Sequence, residues 1–70
     1  MTAPREAVLS VLRSAEGPLH WTVIQDRVLR GGGIDPFVVR DVRGAVLGSL
    51  RELVRDGIAV KTATGVYAIA

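Results

Sequence analysis

"IAVKTATGVYAIA", residues 58–70, breaks the helical spacing of everything before it. Two β-branched runs flank "ATG", so the segment predicts a hairpin, with Gly65 supplying a positive φ near the turn. Both strands are short and the tip is very small. Immediately upstream, "VRGAVLGSLRELVRDG" (42–57) carries apolar residues at helical intervals and stops at Gly57. A helix that runs directly into a terminal hairpin points to an α+β fold, and the rest of the chain supplies the remaining elements.

Asp35 and Pro36 form a helix-start signal, an N-cap followed by proline at the first helical position. The third helix is therefore expected from there to about Asp56. Before it, "WTVIQDRVLRGGG" (21–33) predicts a second helix of about ten residues with Ile24, Val28 and either Val23 or Leu29 on its buried face. Gly31 to Gly33 close that helix and form the only stretch expected to be flexible, which leaves a compact linker to the third helix. Pro4 opens the first helix, capped by Thr2 or Ala3, with Val8, Val11, Leu12 and Ala15 as its stripe and Gly17–Pro18 as its stop. "PLHW" (18–21) is long enough only for a minimal strand. The predicted order is helix, small strand, helix, helix, hairpin in one domain spanning 1–70, with no internal repeat.

Composition limits what this domain can be. Its 70 residues bury only about 60% of the unfolded surface, and 49% of them are hydrophobic, mostly aliphatic. There are no cysteines, so neither a disulfide framework nor a thiolate metal site is available. No apolar run approaches the roughly 18 residues of a membrane span, and the first residues lack a basic segment followed by an apolar one. The expected setting is cytoplasmic, with no membrane. Nine basic against seven acidic residues give a net charge of +2, and eight of the nine cations are Arg. That balance is compatible with a nucleic-acid partner without requiring one.

The element order resembles that of a winged helix-turn-helix domain. More narrowly, "PLHWTVIQDRVL" (18–29) and the closing "GVYAIA" (65–70) are similar to the HARE-type helix-turn-helix group. The resemblance implies a tri-helical core with a C-terminal β-hairpin, and double-stranded DNA binding or an adaptor role in transcription. Its hairpin tip is too short for a long wing. Fold alone does not choose between the two roles.

On a wheel advancing about 100° per residue, Val39, Val42, Val46, Leu50, Leu53 and Val54 share an arc about 120° wide, with Leu47 at its edge. Arg40, Gly44, Arg51 and Arg55 fall on a second stripe, with Gly48 beside it, and Asp41, Glu52 and Asp56 lie further round. Arginines on the exposed face of such a helix are placed to reach phosphates or guanine edges in the major groove, which favours Arg40 and Arg43 at its N-terminal half. Ordinary i,i+4 pairing on a solvated face is the competing explanation. Gly44 and Gly48 give clearance either to a DNA backbone or to a packed helix, within the core or across a homodimer.

Lys61, Thr62 and Thr64 flank the hairpin tip as phosphate contacts or as a solvated turn. Thr22 and Gln25, near the start of the second helix, are further candidates for phosphate contact. Trp21 is expected to pack over the first turn of that helix, or to stack on a base or anchor a partner. A lone His20 without other ligands nearby is expected to satisfy a local backbone group. Neither a metal, a cofactor nor catalysis is expected. The leading expectation is a DNA-binding transcriptional regulator; the alternative is a protein-interaction or dimerisation adaptor.

Overall fold

Ala7, Val8, Leu12, Ile24, Val28, Ile34, Val46, Leu50, Leu53 and Ala59 make one buried cluster to which every segment of secondary structure except the short β1 and β3 contributes. In the computed structural model, which describes residues 3–70, the chain runs α1 (Pro4–Ser14), β1 (Leu19–His20), α2 (Trp21–Arg30), α3 (Val42–Arg55), β2 (Ala59–Ala63) and β3 (Val66–Ile69). The three helices pack on one another, and the sheet closes against α1 and α3. Its order is β1-β3-β2, antiparallel throughout. The result is an α+β domain of three helices and a three-stranded sheet. Among the described residues no helix is long and apolar enough to cross a membrane.

Ala3 stands at the N-cap of α1 without a side-chain hydrogen bond, and Pro4 takes the first helical position. Thr2, the other expected cap, lies outside the described residues. The helix ends at Ser14 rather than at Gly17, because Ala15 already turns extended (ψ 144°). The short bent segment that follows carries the chain to β3, where Leu19 pairs with Tyr67 and His20 with Val66. In α2, Ile24 and Val28 are buried as expected, Leu29 is half-buried and Val23 is exposed.

The glycine run departs from its expected looseness. Gly31, Gly32 and Gly33 donate in turn to the carbonyls of Arg27 (2.9 Å), Leu29 (3.2 Å) and Val28 (3.0 Å), which closes α2. A Cβ on Gly33 would lie 2.6 Å from Ala7 Cβ, so the run is pressed against α1. Ala7 is buried for the same reason.

The start of the third helix also differs. Asp35 Oδ1 accepts from Phe37 N–H at 2.9 Å, and its carbonyl accepts from Val38 and Val39 (3.0 and 2.9 Å), but this yields a single turn. The helix begins at Val42, where Asp41 caps it by accepting from Gly44 N–H at 2.9 Å. Two adjacent β-branched residues resist helix, and Val39 turns in to pack on the core. The linker therefore covers residues 31–41 instead of being compact. Within α3, Val46, Leu50 and Leu53 are buried as the wheel requires, and Ser49 joins them by donating its hydroxyl to Ala45 O at 2.7 Å. Val54, placed in the apolar arc, is exposed.

The two glycines of α3 have different local settings. A Cβ on Gly44 would collide with the Asp41 carboxylate, so glycine here makes room for the cap. A Cβ on Gly48 would meet nothing within 4 Å, so close packing inside the tri-helical core does not require it. Gly48→Ala should therefore stabilise the domain by about 0.8–1.0 kcal/mol, the helix-propensity difference. Gly44→Ala should not, because losing a cap costs about 0.5–2 kcal/mol and offsets the gain. Thermal melts of the two variants should separate in that order; equal melts would reject the assignment of Asp41 as the cap.

Candidate nucleic-acid interface

Hairpin and third helix meet on one side of the molecule. The strands β2 and β3 pair Ala59 with Ile69, Val60 with Ala68 and Lys61 with Tyr67, and an irregularity between Lys61 and Ala63 brings Ala63 opposite Val66. Gly65 has the anticipated positive φ, 73°. Its carbonyl accepts from Trp21 N–H at 2.9 Å, and a Cβ there would sit 2.9 Å from His20 Nε2. The tip is thus held against the start of α2.

That junction also absorbs His20 and Thr22. His20 Nδ1 accepts from Thr22 N–H at 3.2 Å, with the Thr22 hydroxyl 2.8 Å away, so the ring caps α2 and satisfies a local backbone group. The Thr22 N–H is consequently engaged within the chain. Gln25 is half-buried, and its Oε1 is buried with no partner among the described residues. Trp21 lies tilted against His20, ring centroids 5.8 Å apart. The Arg43 guanidinium sits over Trp21, 5.1 Å from the ring centroid, a cation–π contact that orients the side chain without neutralising it.

Further along α3, Leu47, Arg51 and Val54 combine with Lys61 and Tyr67 of the hairpin to line a cavity of about 320 Å³. Two cations, a phenol and an aliphatic floor converge there. The acids of α3 are occupied elsewhere. Arg5 reaches across from α1 to Glu52 (3.6 Å) and Asp56 (2.8 Å), and Arg55 Nε also lies 3.2 Å from Asp56. The hydrogen bonds from Arg5 and then Arg55 hold the Asp56 carboxyl below its ordinary range. Arg30 pairs with Asp26 at 3.1 Å. Among the described residues, Arg40, Arg43, Arg51 and Lys61 take part in none of the ion pairs.

The structure therefore brings Arg51 to Lys61 and sets Arg43 against Trp21. Arg40 does not share their helix, because it precedes the Asp41 cap and lies exposed in the linker. Thr62 and Thr64 are exposed around the tip. Gly44 is committed to the cap, and Gly48 borders a shallow depression with Ala45, Ser49 and the start of α1. Tyr67, Leu47 and Val54 are the contributors that sequence reasoning did not select. Regular pairing from the turn at Gly65 would set Thr62 opposite Tyr67; the irregularity between Lys61 and Ala63 puts Lys61 there instead, so no local signal in the sequence pointed to Tyr67. A scan against protein-family models finds no match, and neither the curated proteins nor the solved structures give one.

Proposed function

We propose that this domain is a winged helix-turn-helix module, of the kind the HARE-type group exemplifies, that binds double-stranded DNA in transcription regulation. The observation that carries the reading is that Arg51 and Lys61 line one cavity with no acid in its lining, on the helix that also carries Arg43. The helix order and the β1-β3-β2 sheet support the same reading, since they leave α3 and the hairpin side by side. In this mode the first turns of α3 enter the major groove, Arg43 and Arg51 face the duplex, and Lys61 with Thr62 and Thr64 meets an adjacent run of phosphates. Arg40, just outside the helix, is a backbone contact rather than a base reader.

A fluorescence-anisotropy titration with random duplex DNA over a salt series tests this. The association constant should fall linearly on a log–log plot, with a slope of about −0.9 per phosphate neutralised. Arg40→Ala with Arg43→Ala should weaken binding and flatten the slope. Absent binding, or binding indifferent to salt, would shift the reading to the second one, a dimerisation or protein-interaction adaptor. That alternative is supported by the space around Gly48, where a Cβ would meet nothing within 4 Å in the depression between α3 and the start of α1.

A further inference from the structure

Three elements converge on Trp21, the only tryptophan of the chain. Its N–H donates to the Gly65 carbonyl at 2.9 Å, and a Cβ on Gly65 would stand 3.2 Å from the indole Cδ1. The hairpin tip therefore seats against the ring through a residue without a side chain. His20 lies tilted on the same ring while its Nδ1 caps α2. The indole is half-buried and packs against the hydrophobic core, so its place is set from several sides at once. Over this ring lies the guanidinium of Arg43, 5.1 Å from the centroid. Arg43 is the second residue of α3 and is exposed. Among the described residues it takes part in no side-chain hydrogen bond and no ion pair, so the indole is the contact that restrains it.

We infer that Trp21 is a positioning residue for duplex recognition, holding Arg43 in the pose that it uses against DNA; the inference rests on the DNA-binding reading above. A free arginine spreads over many rotamers, and the entropy lost in ordering it opposes every contact that it makes. A guanidinium already drawn to a fixed aromatic face has lost part of that freedom before DNA arrives, which is how preorganisation raises affinity. The attraction is to the π face and consumes no acceptor, so the N–H donors stay available to a phosphate or to a guanine edge. An acid at the same place would also restrain Arg43, but it would compete with phosphate for the charge. Because the hairpin tip sits on the same ring, Trp21 also fixes where Arg43 stands relative to Thr62 and Thr64. In this scheme Trp21 acts through Arg43 and touches no nucleic acid itself.

A double-mutant cycle in the full chain, read by anisotropy with random duplex DNA, tests this. Trp21→Leu keeps an apolar side chain and removes the π face, and should weaken binding about three- to tenfold, the scale of one cation–π contact. Trp21→Phe keeps an aromatic face and should restore most of that loss. In an Arg43→Ala background, Trp21→Leu should change affinity by less than about twofold, since the group that it positions is gone. A second measurement needs neither DNA nor a variant at Trp21. In the proton NMR spectrum of the free wild type, the δ-methylene protons of Arg43 should lie upfield of their random-coil position through the indole ring current. Random-coil shifts there overturn the inference, even if Trp21→Leu does not fold. So does an Arg43→Ala variant that binds as the wild type does, or a Trp21→Phe variant as weak as Trp21→Leu. An equal loss from Trp21→Leu with and without Arg43 overturns it too, because Trp21 would then act on the fold or stack on a base directly. Each of these results leaves duplex binding by the wild type standing; a wild type without duplex affinity rejects the DNA-binding reading and this inference with it.

Discussion

Leu50→Ala should remove about half of the domain's stability. Leu50 is fully buried at the centre of α3, and truncating such a residue costs about 2–5 kcal/mol through lost transfer energy and the cavity left behind. The whole domain has about 4–10 kcal/mol to lose, at 0.05–0.15 kcal/mol per residue. The surroundings offer little relief, because the neighbouring core positions Val46 and Leu53 lie on the same helix and are equally closed to solvent. A domain of this size shifts its melting temperature by about 4–8 °C per kcal/mol, so the variant should melt at least about 8 °C below the wild type. Val54→Ala is the matched comparison, one turn further along but on the exposed side, and should cost under about 1 kcal/mol. If the two variants melted together, the packing face assigned to α3 would be wrong.

Where local chemistry decides, the sequence is legible. Gly65 needs only its own backbone to mark the hairpin, and Pro4 only its ring to open α1. Where two local signals compete, tertiary contacts choose. Asp35–Pro36 and Asp41 are both competent helix starts; what separates them is the inward turn of Val39 and Ile34 onto a core assembled from distant segments. Gly31 to Gly33 read as slack for a similar reason, since the Ala7 methyl that presses on Gly33 belongs to α1. The candidate site divides along the same line. Arg51 was visible from helical periodicity, whereas its meeting with Lys61 and Tyr67 depends on how the hairpin lies across α3. Starting the helix too early also put Arg40 on the same stripe as Arg51. An error of six residues in the cap thus became an error in the composition of the face.

Reversing the charges of that corrected face should separate it from the rest of the surface. Arg51→Glu with Lys61→Glu takes the net charge from +2 to −2, since each reversal subtracts two. Arg13→Glu with Arg27→Glu makes the same change on exposed positions of α1 and α2. Neither pair takes part in an ion pair among the described residues, so both variants should fold, as surface substitutions away from such features usually stay within about 0.5 kcal/mol. Their long-range fields are alike, and beyond a Debye length of about 8–10 Å salt screens the difference. Only direct engagement of phosphate distinguishes them. The face variant should bind random duplex at least about 100-fold more weakly than the control, because two attractions become repulsions worth several kcal/mol. Its salt slope should be shallower by about two, one for each phosphate that is no longer neutralised. Equal weakening in the two variants would mean that affinity follows net charge alone, and the wall of Arg51 and Lys61 would then have no privileged part in binding.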